Sequence, residues 1–301
     1  MALSRTAFDI VSALASSRAQ PPTQRSLAKQ TGHSLGAVNA ALAQLQEEGL
    51  VLGMRATDNA LEKLEAYRVK RAVILAAGFG QRLIPITFKT PKPLVRIKGV
   101  RIIDTILDAL SLAGIHDVTV VRGYLAEQFD ILAQKHPGVK FIDNPDYINA
   151  NNIASAYCAR DLIAGAYVME ADLFIRNPGL ITPWQYESNY LGVPVEKTDD
   201  WCFRTAGRNR ITALTLGGTD CHHMFGISYW TAEDGRRLAR DLEEVYAAPG
   251  GKEKFFDQVA LQDRIADYAL TVRPCSFDDI AEVDTMQDLC ALDPTYASYV
   301  L

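Results

Sequence analysis

A chain of 301 residues, 48% hydrophobic and 22% charged, has the composition of an ordinary globular protein with room for one large core or two domains. A net charge of −5 gives no general attraction to nucleic acid. Five scattered cysteines without a Cys-x-x-Cys pair argue against a disulfide frame or a zinc site and for reduced thiols in a cytoplasmic compartment. No apolar run approaches the roughly 18 residues that span a membrane, and Asp9 interrupts the N-terminal stretch that a signal peptide would keep apolar.

Residues 1–69 read as a small, mostly helical domain. Phe8, Ile10, Val11 and Leu14 recur at helical spacing, and Pro21, Pro22 and Thr23 break the chain. A short helix through Leu27 and Ala28 ends at Thr31-Gly32. Ser34 caps the next helix, whose apolar face carries Val38, Ala41, Leu42 and Leu45. Gly49 ends it, 50–55 reads as a strand, and a further helix over 59–67 leads out. This order resembles a winged-helix domain. Its recognition helix would be 34–46, which holds no Lys or Arg; only Asn39, Gln44 and Gln46 could read bases, and Glu47 and Glu48 follow. DNA affinity comes mainly from neutralising phosphates, so a dimerisation (homodimer) or docking module is the better reading, with DNA binding as the alternative.

The chain divides near 68–71. The run AVILAA over 72–77 is short, apolar and followed by Gly78, the pattern of a buried strand. Gly78 and Gly80 let the backbone turn sharply and approach a ligand closely, and the amide groups of such a loop suit an anion. Arg82 adds a planar, permanently charged fork. Lys92 adds a point charge on a segment stiffened by Pro91 and Pro93. Together these point to a polyphosphate. A P-loop fits poorly because no Gly-Lys-Ser/Thr follows Gly80. The dinucleotide fingerprint fits poorly because Leu83 stands where its last small residue belongs.

Strands and helices then alternate: helix 102–113 with Ile103, Ile106, Leu107 and Leu110 on one face, strand 118–122, helix 125–134, strand 139–142, helix 153–162 and strand 167–171. The pattern predicts an α/β, Rossmann-like domain over 70–301, with a mostly parallel sheet whose ligands lie beyond the carboxyl ends of the strands. Gly78, Gly123 and Asp172 fall on that rim. Short strands with turns such as Gly217-Gly218 are expected over 190–230, as an antiparallel extension that builds an acceptor pocket. Helices around 233–246 and 252–265 follow, and the chain ends as strand, Asp284, helix.

The strings LAAGFGQRL and TPKPLV are similar to the signature of the sugar-phosphate nucleotidyltransferase superfamily. GYLAEQFD (123–130), NANNIASAY (149–157), MEADLFI (169–175) and AEVDTMQDL (281–289) resemble stretches of bacterial CTP:phosphocholine cytidylyltransferases. The resemblance covers everything after about Lys70 and is more specific for nucleotidyl transfer than for the acceptor. It implies transfer of CMP from CTP to phosphocholine with Mg²⁺. Phosphoethanolamine, 2-aminoethylphosphonate or a sugar phosphate are alternative acceptors, and a DNA-binding regulator sensing CTP or choline metabolites is an alternative of another class.

The same resemblance assigns roles. Asp172 and Asp284 match the metal-binding carboxylates, helix capping being the other reading of a strand-end Asp. Glu170 shares a strand face with Asp172 and joins the candidate acceptor contacts. The base lies against Ala76, Ala77 and Gly78, with Gly80 and Arg82 at the phosphates and Lys92 on the reacting ones. Tyr124, Asn152 and Ser155 are candidates for base or ribose contacts, although Asn151 or Asn152 could equally cap the helix at 153. A trimethylammonium group is recognised by aromatic faces and nearby carboxylates. Trp201, Trp230 and Phe256, with Asp199, Asp200 and Asp257 beside them, are the candidate cage, against the alternative that they are core. His222 and His223 face opposite ways on a strand and read as structural.

Overall fold

The computed structural model describes residues 2–17 and 21–299. The chain forms two units, Met1–Val69 with Trp184–Tyr186, and Lys70–Pro183 with Glu187–Leu301.

In the first unit each of three helices begins at a hydroxyl cap. Ser4 accepts from Ala7 N–H before α1 (Arg5–Ser16), Thr23 from Ser26 N–H before α2 (Gln24–Thr31), and Ser34 from Ala37 N–H before α3 (Leu35–Glu47). Gly32 ends α2 with φ 71°, a conformation that favours glycine. The strand expected over 50–55 is a hairpin of β1 (Val51–Leu52) and β2 (Arg55–Ala56), because Gly53 and Met54 both take positive φ. α4 (Asp58–Leu64) closes the unit. Phe8, Ile10, Leu27, Val38 and Leu42 form its core together with Trp184. Tyr186 stacks on Tyr67 with ring centroids 5.5 Å apart. The fold is a winged helix to which a three-residue segment from later in the chain contributes.

The second unit opens with β3 (Arg71–Ala76). A small hairpin of β4 (Arg96–Ile97) and β5 (Val100–Arg101) precedes α5 (Ile102–Leu112) and β6 (Asp117–Arg122). The helix expected over 125–134 is mostly a 3₁₀ turn leading into α6 (Leu132–Lys135). Then come β7 (Lys140–Asp143), α7 (Ile153–Cys158), β8 (Ala166–Glu170) and β9 (Leu173–Ile175). Next, β10 (Asn189–Ala206) and β11 (Arg210–Trp230) form one long antiparallel hairpin. The expectation of several short strands fails here. The reversal is at Gly207–Asn209, whereas Gly217, with φ 72°, stays inside β11. α8 (Ala232–Ala247) follows. The helix expected over 252–265 is broken into α9 (Phe256–Gln258), a π-turn and a 3₁₀ turn. β12 (Thr271–Pro274), β13 (Ile280–Glu282) and α10 (Met286–Leu292) complete the unit.

The sheet order is β10-β12-β11-β8-β3-β6-β7. β7, β6, β3 and β8 are mutually parallel, and β11 joins β8 antiparallel. This is the expected mostly parallel sheet with an antiparallel extension. β3 lies at the centre of the parallel half, which explains its unbroken apolar run. β13 pairs antiparallel with β9, setting Glu282 opposite Leu173, and Val283 N–H donates to the Asp172 carbonyl at 3.0 Å. That short ladder brings Asp284 to Asp172 across more than a hundred residues of chain.

Candidate active site

The site begins where β3 ends. Gly80 takes φ +64°, and a Cβ there would lie 2.9 Å from Lys92 Cβ and 3.0 Å from Thr87 Cγ2. Only glycine lets the loop press against the Lys92 segment in this way. Lys92 sits in a 3₁₀ turn between two prolines and is almost fully buried. Its Nζ donates to Asp172 Oδ2 and Asp284 Oδ1, both at 2.8 Å. Arg82 Nη2 reaches the same Asp284 oxygen at 2.9 Å. Burial alone would lower the Lys92 pKa, but the two carboxylates outweigh it and hold the ammonium well above its ordinary range.

These groups line a cleft of ≈ 570 Å³. Ala76, Ala77, Gly78 and Gly80 bound it on the loop side, and Asn152, Ser155 and Glu170 line it as well. Asn152 does not cap α7 with its side chain. Its Nδ2 donates to Glu170 Oε1 and its Oδ1 accepts from Phe256 N–H, each at 2.8 Å. Ser155 is buried and accepts from Asn144 Nδ2 at 3.1 Å. Tyr124 is placed behind the loop instead of in the cleft: its hydroxyl donates to the Thr87 carbonyl, and its ring meets Phe79 at 4.7 Å. Phe79 and Tyr147 are the aromatic rings that line the cleft beside the loop.

The expected aromatic cage is largely corrected. Trp230 is 0% exposed, with Nε1 donating to Ser228 Oγ, and Phe256 is 1% exposed. Both belong to the core and have no face left for a ligand. Asp257 is buried too. It accepts from the Tyr190 hydroxyl at 2.9 Å, and burial, partly opposed by that bond, pushes its carboxyl up to about 7. Of the expected set Trp201 is half-buried, edge-to-face with Phe255 at 6.1 Å, and Phe255 lines the cleft. Phe255 precedes the turn that sends Phe256 inward, a one-residue distinction that composition does not carry.

The sequence reading also passed over an acidic cluster. Glu170, Asp172 and Glu282 bring carboxylate oxygens within 4.8 Å of one another, and Asp200, His223 and Glu282 do the same with one ring nitrogen. His223 Nδ1 lies 3.2 Å from Thr198 Oγ1, and burial keeps its ring below the ordinary histidine pKa. His222 and His223 are neighbours on β11, and of the two it is His223 that joins the acidic grouping. Burial and then the neighbouring carboxylates, Asp172 first, push Glu170 and Glu282 well above the usual carboxylate range.

The donor set fits a divalent cation. Oδ1 of Asp172 is buried without a hydrogen-bond partner among the described residues, and the Asp172 and Asp284 carboxylates converge on one point, Lys92 Nζ. Hard oxygen donors suit Mg²⁺, and the Lys92 ammonium already shows that positive charge is stable between Asp172 and Asp284.

Residues 71–180 match the nucleotidyl transferase family, and residues 3–51 match the winged helix-turn-helix DNA-binding family. The 2-aminoethylphosphonate cytidylyltransferase of Lancefieldella rimae is 37% identical over 228 residues, 75% of this chain and 92% of that protein. The chain belongs to the nucleotidyltransferase family. Another family member, the choline-phosphate cytidylyltransferase of Streptococcus pneumoniae, is 29% identical over 224 residues, 74% of this nucleotidyltransferase and 96% of that protein. The solved structure of the CTP:phosphocholine cytidylyltransferase from the same organism superposes with a TM-score of 0.70 at 29% identity, covering 76% of this nucleotidyltransferase and 99% of that chain. No described helix is long and apolar enough to cross a membrane.

Proposed function

We propose that this nucleotidyltransferase moves CMP from CTP to a small acceptor with a phosphate or phosphonate at one end and a cationic nitrogen at the other, releasing pyrophosphate. The observation that carries the reading is the convergence of Lys92, Arg82, Asp172 and Asp284 at the mouth of the glycine loop. The triphosphate lies along the amides of that loop, with the base against Ala76, Ala77 and Gly78 and with Asn152 and Ser155 lining the same cleft. Asp172 and Asp284 would hold Mg²⁺, which would supply neutralisation of the triphosphate and polarisation of the α-phosphorus. An acceptor oxygen attacks the α-phosphorus in line, forming the new P–O bond as the bond to pyrophosphate breaks. Lys92 stabilises the reacting phosphates and Arg82 the departing pyrophosphate. No general base is required, because a phosphate monoester has a second pKa of about 6, and a phosphonate acceptor likewise carries an anionic oxygen at neutral pH. Catalysis rests on positioning and charge.

At the other end of the acceptor, the acidic cluster supports a primary ammonium. Asp200, Glu282 and Glu170 offer hydrogen-bond acceptors that an ammonium can use and a trimethylammonium cannot. With Trp230 and Phe256 in the core, what is left of the expected cage is Trp201, edge-to-face with the cleft-lining Phe255. 2-Aminoethylphosphonate, the acceptor in the name of the Lancefieldella rimae relative, fits this chemistry. Phosphocholine is the second reading and rests on the Trp201–Phe255 pair. The test is pyrophosphate release with CTP and Mg²⁺, comparing kcat/KM for 2-aminoethylphosphonate, phosphoethanolamine, phosphocholine and glucose 1-phosphate. The two primary amines should lead. A lead for phosphocholine would reject the ammonium reading, and no release with any nucleotide would reject the enzyme reading.

A further inference from the structure

Glu170 ends β8, and its carboxylate is confined from two sides. On one side Asn152 donates to Oε1, and Asn152 is itself fixed by Phe256 N–H on its Oδ1 and by its own N–H donating to Asn151 Oδ1. On the other side lies Gly226 of β11, the strand next to β8. A Cβ on Gly226 would sit 2.1 Å from Glu170 Oε2 and 2.6 Å from its Cδ. The φ of Gly226 is outside the left-handed region, so the backbone does not demand glycine there. The side chain that the missing Cβ accommodates is Glu170. We propose that Gly226 is a specificity-determining position for the acceptor: with Asn152 it forms a slot that aims the Glu170 carboxylate at the acceptor's primary ammonium. This rests on the acceptor reading above. The amide of Asn152 is committed to protein partners at both ends, which makes Asn152 a positioning residue.

The chemistry of the slot makes the test clean. An added methyl at Gly226 overlaps Glu170 from its carboxylate back to Cγ, which would lie 2.7 Å away, so the Glu170 side chain has to leave its place against Asn152. In the full-length protein Gly226→Ala should raise the KM for 2-aminoethylphosphonate by about ten-fold or more, the loss of one hydrogen bond to a charged group. The KM for CTP and the Mn²⁺ concentration for half-maximal activity should stay at parent values. Asn152→Ala should shift the same KM in the same direction, which keeps the test available if Gly226→Ala folds poorly. Adding Glu170→Asp to Gly226→Ala shortens the side chain by one methylene and should recover part of the loss. An unchanged acceptor KM in both single variants overturns the proposal. So does an effect of Gly226→Ala that falls on CTP or on the metal requirement, which would place Glu170 in the nucleotide site; Asn152 lines the nucleotide cleft itself, so Asn152→Ala is read on the acceptor KM alone. A parent enzyme that uses none of the amines fails the acceptor reading itself, a separate outcome visible before any variant is made.

Discussion

Lys92 stands between two carboxylates where a divalent cation would also be stable, and this single side chain carries two opposite predictions. As a group on the reacting phosphates it should be indispensable: Lys92→Ala should cut turnover by on the order of 10²-fold or more. As a competitor for Asp172 and Asp284 it should hinder metal binding in the absence of nucleotide. Lys92→Ala should therefore bind Mn²⁺ more tightly than the parent by titration calorimetry, and unchanged affinity would show that the ammonium does not compete. Asp172→Asn should lose nearly all transfer while staying folded; activity near the parent's at saturating Mg²⁺ would remove Asp172 from the metal site. Asp257 gives a prediction about stability. Its folded pKa is raised from 3.8 to about 7 by burial, so the fold binds the proton more tightly than the unfolded chain does. The resulting stabilisation is present in full below about 3.8, fades as the pH rises, and is gone above about 7. Asparagine still accepts from Tyr190 without carrying a charge. Asp257→Asn should then flatten that slope in melting temperature against pH, and a parent-like slope would mean another group is responsible.

Elements differ in how much of themselves the sequence reveals. β3 and the glycine loop are legible because a central parallel strand is apolar on both faces and its exit needs positive φ at Gly80. The helices of the winged helix are legible from their apolar spacing, from the break at Pro21–Thr23 and from the cap at Ser34, while the caps at Ser4 and Thr23 emerge only in the structure. The β10–β11 hairpin is not, because Gly217 imitates a turn while sitting in a strand irregularity, and the real reversal uses positive φ at Arg208 and Asn209. The Asp200–His223–Glu282 grouping is hidden for a related reason: it is assembled by that hairpin and by the β9–β13 ladder, contacts that leave no periodic trace. Conversely, α3 tells more by its sequence than by its fold. The shape is that of a DNA reader, but the helix 35–47 carries no cation and ends in glutamate. Gel-shift titration of the full-length protein should show weak binding that vanishes as salt rises. Nanomolar, sequence-selective binding at physiological salt would revive the regulator reading.

At the scale of the whole molecule, the winged-helix unit does not end where the chain leaves it. Every residue assigned to chemistry lies beyond Lys70, so a protein beginning there keeps the entire catalytic constellation. Yet Trp184, Gln185 and Tyr186 belong to the first unit. Trp184 is 9% exposed, pairs its backbone with Arg68 and lies 5.3 Å beneath that residue's guanidinium. Tyr186 packs on Phe8 and Tyr67, and Gln185 N–H donates to the Tyr67 carbonyl. Deleting 1–69 removes all of these partners at once and leaves two large aromatic rings uncovered two residues apart. Burying one such ring is worth about 1.5–3 kcal/mol, so the truncated protein should melt lower than the parent and self-associate on size-exclusion chromatography. Replacing both rings, Trp184→Ser with Tyr186→Ser, should return the truncated protein to a single monodisperse peak while doing the full-length protein harm. A truncated protein that is monodisperse and melts with the parent would mean that Trp184 and Tyr186 do not depend on residues 1–69 for their cover.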